Sequence, residues 1–338
     1  MNILFQSDYH DFKGDVSLQK SMSIGLLRKN PGSTVDYFVK RRKIYDSVIV
    51  FNSVKESISV KTYKGNVFAI MQEPGENILY NPFMFKNLEQ FDTVLSPIIE
   101  SKNTIQSHGY LPWSFSFSYD QLINLSCPSK SKLISCIVSS KKAFKGHKDR
   151  CNFIDNLTDS KEVNIDLFGR GRNFIEKKED GLLDYKYSIA IENSSKDFYF
   201  TEKITDCFLC YTIPFYYGCK NIDAFFPKES YVQIDINNPQ KALKQIKEEL
   251  ESDNFKNRLP YLEEARELVL NKYNTVNLLT HLKPQIKQNI SNNKIKKYNI
   301  KSLVHKKKNF ISIIKNLIKS LYLKSFKIIM FFIGRGKK

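Results

Sequence analysis

Thr201-Glu202-Lys203 sets a carboxylate beside an ammonium at the point where a helical pattern begins. Ile204, Cys207, Phe208 and Tyr211 follow at the i, i+3, i+4, i+7 spacing of one apolar helix face. Burying that face holds the first turn at a rim, where backbone N–H groups and Lys203 favour an anion such as a diphosphate. The same residues also fit an ordinary helix start, with a Thr cap and a solvated Glu-Lys pair. Upstream, the apolar run Tyr187 to Ile191 ends in Glu192-Asn193-Ser194; downstream, Ile213-Pro214-Phe215-Tyr216-Tyr217 ends at Gly218. Strand, polar turn, charged helix start and second strand together make a ligand site of the open α/β kind.

Those residues must be held by sheets, and the chain supplies the pattern twice. Asn2 to Phe5, Ser47 to Phe51, Val67 to Met71 and Phe91 to Ser96 are short apolar runs ending in polar residues, as parallel strands covered on both faces are. Ser126-Cys127-Pro128-Ser129-Lys130-Ser131 reads as a linker. The pattern restarts at Leu133 to Val138, Val163 to Phe168, Tyr187 to Ile191, Ile213 to Tyr217 and Tyr231 to Ile234, with Pro239 to Leu250 and Leu259 to Leu270 as closing helices. The reading is α/β, with two Rossmann-like doubly wound domains, residues 1–125 and 130–272, facing a cleft. Residues 273–338 form a basic linker and helical tail.

Ligands of such folds lie beyond the carboxyl ends of the strands. In the second half those ends carry Ser139-Ser140 with the basic loop Lys141 to Arg150, Gly169-Arg170-Gly171-Arg172, and Glu192-Asn193-Ser194. In the first half, Met71-Gln72-Glu73-Pro74-Gly75-Glu76-Asn77 leaves a buried strand with two carboxylates, either of which also suits a turn cap. The lone tryptophan, Trp113, fits equally a sugar-stacking platform or a core residue. No Asp-x-Asp follows any strand, and Cys207-x-x-Cys210 reads as two small apolar residues rather than a redox or metal pair.

The net charge of +18 is unevenly placed. Residues 268–338 contain no Asp or Glu but 17 Lys+Arg, leaving 36 basic against 35 acidic in the body. A basic appendage on a neutral body argues against a specific nucleic-acid face. Residues 286–309 read as an exposed Lys/Asn-rich linker. Beyond them Phe310, Ile313, Ile314, Leu317 and Leu321 share one helical face, and lysines interrupt the stretch too often for a spanning helix. Residues 310–333 are expected to lie on an anionic membrane surface, with self-association or docking on the body as the alternative and nucleic acid as the less favoured one. Met1-Asn2-Ile3-Leu4-Phe5 leads at once into polar residues, which predicts no secretory leader and a cytoplasmic protein.

Glu192-Asn193-Ser194, Tyr199, Thr201-Glu202-Lys203, Pro214 and Gly218 resemble, in order and nearly in spacing, the donor-binding signature of glycosyltransferase family 10, the α-1,3/1,4-fucosyltransferases. Lys132 to Ser140 with Arg150, and Phe225-Phe226-Pro227 to Val232, extend the likeness over residues 130–236. Phe200 stands where the family often has Val, and Ser195-Lys196-Asp197-Phe198 replaces a more glycine-containing turn. The resemblance implies a GT-B fold and an inverting transfer of L-fucose from GDP-fucose to a galactose- or N-acetylglucosamine-type glycan, such as a lipopolysaccharide. It further implies that Lys203 and Arg150 stabilise the departing diphosphate without a metal or other cofactor. Lys148, Arg170 or Arg172 offer the same charge as Arg150. Glu202 would bind donor hydroxyls, Tyr199 the nucleotide sugar, and Asn193 would shape the pocket. Glu73, directly before Pro74, would be the base, with Glu76 as the alternative. A bacterial enzyme of this kind is expected at the inner face of the membrane. Rival readings are transfer of another nucleotide-linked sugar, or a non-enzymatic basic binding module.

Overall fold

The computed structural model describes residues 3–7, 43–54, 56–72, 87–98, 101–111, 113–114, 116–117, 119–273 and 275–302. Strands β1 (Ile3–Ser7), β2 (Ser47–Phe51), β3 (Ile58–Tyr63), β4 (Val67–Ile70), β5 (Thr93–Ser96) and β6 (Thr104–Gln106) build the first half. Five of them form a wholly parallel sheet in the order β1-β2-β4-β5-β6. Val48 and Val50 point to one face and Ile49 and Phe51 to the other, so the run is apolar on both sides.

Both faces are covered from the far end of the chain. Helix α6 (Thr275–Ser291) sets Leu278, Leu279, Leu282 and Ile286 against Phe5, Ile49, Phe68 and Ile70. On the opposite face, β12 (Ile295–Ile300) pairs antiparallel with β3 and buries Tyr298 and Ile300 against Val50, Val67 and Val94. Asp92 fastens this edge, accepting from Tyr298 Oη (2.7 Å) and from the N–H groups of Val67 (3.0 Å) and Gly65 (3.1 Å). Asn66 donates to the Ile286 carbonyl (3.2 Å) and accepts from Asn289 (2.8 Å), which locks α6 onto the β3–β4 turn. The linker expected from residue 286, and the boundary at 273, are therefore corrected: residues 275–300 are part of the first domain's fold. The lysines that suggested solvent, Lys296 and Lys297, occupy the exposed positions of an edge strand, where charge guards against further pairing.

The second half is a parallel sheet of β7 (Lys132–Ile137), β8 (Asp166–Phe168), β9 (Tyr185–Ile191), β10 (Ile213–Tyr217) and β11 (Val232–Gln233), in the order β11-β10-β9-β7-β8. Between its strands run α2 (Lys145–Asp159) and α3 (Glu202–Leu209), and α4 (Pro239–Ser252) and α5 (Phe255–Asn271) close it. The connecting segment, with the short α1 (Tyr119–Ile123), is already part of this domain. Trp113, Tyr119 and Leu122 belong to its core, and Tyr119 Oη donates to Asn271 (3.0 Å). The boundary at residue 125 thus moves upstream to Trp113, whose indole N–H donates to the Phe117 carbonyl (2.9 Å); it is a core residue. Lys130 ends the connection with its ammonium on the carbonyls of Leu183 (2.8 Å) and Cys210 (2.7 Å).

His108, just after β6, stacks on Phe200 (5.0 Å) and meets Phe225 and Tyr273 edge-on. This aromatic cluster joins the end of the first sheet to the second domain and to the returning chain. Burial, with His281 nearby, pulls the His108 pKa from 6.5 to about 3, so the ring joins the cluster uncharged.

Removing residues 303–338 should leave the thermal unfolding midpoint near that of the full chain. Ending the chain at residue 290 removes β12 and uncovers Val50, Val67 and Val94. It should lower the midpoint by about 4–16 °C, for about 2–4 kcal/mol of lost burial; scanning calorimetry of the two truncations checks this.

Candidate active site

Strand order in the second sheet reverses between β7 and β9, since β8 lies outside β7 and β10 outside β9. An open parallel sheet binds ligands at such a reversal, beyond the carboxyl ends of the two strands. Here β7 runs into Ser139-Ser140, β9 into Glu192-Asn193-Ser194, and the N-termini of α2 and α3 flank the crevice.

The approach of α2 is set by Gly146, since a Cβ there would stand 1.8 Å from the Asn193 carbonyl oxygen. That contact brings Arg150, one turn further along α2, onto Asn193, with Nη1 donating to Oδ1 at 2.9 Å. Arg150 is buried on a helix, not carried on a basic loop as expected from the sequence.

Across the crevice, Glu192 is almost wholly buried and accepts from the Thr201 N–H (2.8 Å), the Thr201 hydroxyl (2.8 Å to Oε2) and Lys203 Nζ (3.1 Å). Gly218 makes room for it, because a Cβ at 218 would lie 2.4 Å from Glu192 Cγ. Thr201 caps α3 by accepting from the Lys203 N–H (3.4 Å). The Thr cap is real, but the Lys203 ammonium turns inward to Glu192 and also lies 3.6 Å from Glu202.

A second ion pair backs the first. Lys178 meets the fully buried Asp206 at 2.6 Å, and Asp206 also accepts from the Ser114 N–H (3.1 Å) of the connecting segment. Burial pushes the Asp206 pKa up to about 6 in spite of Lys178. Burial works the same way on Glu202, but Lys203 and Lys178 outweigh it and hold its carboxyl at about 2. Glu202 is thus an anion at any working pH, able only to accept hydrogen bonds. Beside this array, Ser114, Ser116, Gly169, Ile175 and Lys178 line a cavity of about 300 Å³, at the small end of ligand pockets.

Arg150, Asn193, Glu202 and Lys203 thus come together at one crevice. Tyr199 stands beside them but is buried. The glycine-poor turn before it has a cost: Phe198 adopts φ +62°, a conformation natural to glycine. Its N–H is held by Asn221 Oδ1 (2.8 Å), and its ring packs edge-on against Phe225. Cys207 and Cys210 are buried core residues, the Cys207 thiol pushed up to about 12 by burial. Among the described residues no three His, Cys, Asp or Glu stand together as metal ligands, and no helix is long and apolar enough to cross a membrane. Glu73, Glu76 and the 310–333 segment lie outside the described residues; Gln72, next to Glu73, is anchored by Asn52 (2.7 Å) and the Gly109 carbonyl (3.1 Å). Sequence reading missed the anchoring part of Glu192, the Lys178–Asp206 pair and His147 of α2. Only Glu192 carried a signal, a carboxylate at the end of an apolar strand.

Glu192→Gln leaves the Lys203 ammonium without its buried counter-ion while keeping the side chain's shape. The change should cost about 3–5 kcal/mol, read as a shifted urea midpoint. An unchanged midpoint would show that the pair does not hold α3.

Comparison with known proteins places this geometry in context. Residues 127–298, just over half of the chain, match the model of the glycosyltransferase family 10 (fucosyltransferase) C-terminal domain. The chain is 31% identical over 123 residues to the alpha-(1,3)-fucosyltransferase FucT of Helicobacter pylori, covering 36% of this chain and 25% of that protein. Over 127 residues it is 28% identical to the human 4-galactosyl-N-acetylglucosaminide 3-alpha-L-fucosyltransferase 9, covering 36% of this chain and 34% of that protein. The aligned part thus spans only about a quarter to a third of these relatives' length. A crystal structure of an α1,3-fucosyltransferase with GDP-fucose superposes with a TM-score of 0.51 at 17% identity, covering 84% of this chain and 90% of that one. That likeness shows the fold, GT-B, as the two facing sheets predicted. On the family match and the fold together, the chain belongs to glycosyltransferase family 10, the fucosyltransferases.

Proposed function

We propose that the protein transfers L-fucose from GDP-fucose, with inversion, to a hydroxyl of a galactose- or N-acetylglucosamine-type glycan. The observation that carries this reading is the convergence of Arg150, Lys203 and the α2 N-terminus at the sheet's reversal point. Negative charge grows on the diphosphate as the C1–O bond of the donor breaks, and preorganised cations in a water-poor crevice lower that barrier. No metal is required if those groups do the work. Glu202, an anion with open acceptor capacity, takes hydrogen bonds from sugar or ribose hydroxyls. Asn193, held by Arg150, shapes the floor, and Tyr199 packs near the nucleotide sugar.

The acceptor hydroxyl must lose a proton as its oxygen attacks C1 from the face opposite the leaving group, so the base belongs on the other wall. Glu73 suits that part because it follows the anchored Gln72 at the carboxyl end of a first-domain strand. Residues 310–333 would dock the enzyme on the anionic inner leaflet, near lipid-linked acceptors.

Purified protein given GDP-fucose and a panel of galactose- and N-acetylglucosamine-bearing acceptors should yield a product heavier by one deoxyhexose, without added metal and in the presence of chelator. Glu73→Gln should lower turnover by about 10² or more while calorimetric GDP affinity stays unchanged; wild-type turnover would remove Glu73 as the base. The chain ending at residue 302 should keep transfer to soluble acceptors but lose binding to phosphatidylglycerol vesicles. Equal vesicle binding by both chains would reject the membrane assignment.

A further inference from the structure

The start of α2 and the segment against it hold buried polar atoms that no described residue uses. The N-cap residue of this 15-residue helix, Phe144, is extended and makes no side-chain cap hydrogen bond. His147, in the first turn of α2, is 7% exposed, and its Nδ1 has no hydrogen-bond partner among the described residues. The same holds for Nε of Arg150 (7% exposed) and for the hydroxyl of Ser194 (5% exposed).

These three atoms belong to one place. His147 and Arg150 stand i, i+3 on one face of α2. The Gly146–Asn193 contact and the Arg150–Asn193 hydrogen bond bring the segment carrying Ser194 against that face. Buried polar atoms without partners are costly, so a cluster of them calls for a ligand that completes them. All three can donate, and the helix N-terminus behind them also favours negative charge. Arg150, Lys141 and Lys203 all act electrostatically on His147, so it sits among the cations of both walls. Burial first, then those cations, lower its pKa to about 4; the ring is neutral near pH 7 and keeps one N–H.

We propose that His147 is a further anchor for the diphosphate of the nucleotide-sugar donor, giving its Nδ1–H to a phosphate oxygen beside Arg150. This rests on the donor reading above and adds to it a directional contact beside the charged groups.

The test is calorimetric titration of the full-length protein and its variants with GDP and with guanosine, which lacks the phosphates. Asn places an amide N–H near the position of Nδ1, whereas Gln reaches toward Nε2 and Leu offers no donor. His147→Leu should bind GDP about tenfold or more weakly, the worth of a hydrogen bond to a charged group, with guanosine affinity unchanged. His147→Asn should restore GDP affinity and His147→Gln should not. GDP binding by His147→Leu equal to that of the unaltered protein overturns the inference and leaves the donor reading standing. Equal weakening toward GDP and guanosine, unrescued by Asn, also overturns it, because that is the mark of a structural residue. If His147→Leu does not fold, the Asn and Gln variants decide alone, equal affinities overturning the inference. Failure of the unaltered protein to bind GDP overturns the donor reading, and this inference with it.

Discussion

The site is organised around a carboxylate that solvent does not reach. Glu192 closes β9 and is buried to 1% exposure, an expensive position for a charge unless it is fully paired. Its pairing is complete: Thr201 supplies a backbone and a side-chain donor, and Lys203 supplies the counter-charge. Those three bonds decide where α3 starts, because both partners sit in its cap and first turn. With α3 fixed, Glu202 must stand at the crevice and Asp206 one turn deeper, where Lys178 meets it. Gly218 is the sterical counterpart, since any larger residue would displace Glu192 and release the helix.

The first domain depends on a different constraint. A parallel sheet apolar on both faces needs two covering layers, and α6 and β12 supply cover on both sides. The chain must therefore return across the molecule after α5, and Tyr273 at the crossing packs on His108, Phe200, Phe225 and Phe226. The same aromatic group thus touches both domains and the returning strand. Phe200 is in the turn that leads into Thr201, so the joint between the domains is a few residues from the charged cap of α3.

Much of this was legible in the sequence, for identifiable reasons. Parallel strands such as Val67–Ile70 and Tyr185–Ile191 are continuous apolar runs that end where the ligand crevice begins, which makes both strand and site visible together. The helix start at Thr201 announced itself through its cap and its i, i+3, i+4 face. What stayed hidden was long-range pairing. Lys296 and Lys297 disguised an edge strand whose partner lies more than two hundred residues away, and β3, with alternating exposed residues, gave no stronger hint. Arg150 looked like part of a basic loop because the preceding lysines mask the helical repeat. Its burial follows from Gly146, whose meaning depends on a carbonyl 47 positions later. The Lys178–Asp206 pair was unreadable on the same ground, being made by two charged residues in unrelated segments.

The charges of the crevice are unequally shared between its walls. On the α3 side, Lys203 and Lys178 stand among Glu192, Glu202 and Asp206, so two ammoniums answer three carboxylates. Lys203 is already committed to Glu192 and near Glu202, and burial is offset by those partners to the point that its pKa rises. An ammonium paired in this way offers a diphosphate less field than an unpaired one would. The net positive wall is the other one, where among the described residues Arg150 bonds only a neutral amide and the α2 N-terminus adds its dipole. On the proposed reading the diphosphate should therefore lie closer to α2 than to α3. Arg150 would then carry the larger share of the leaving-group charge, and Lys203 the smaller share while it also keeps Glu192 and Glu202 in place.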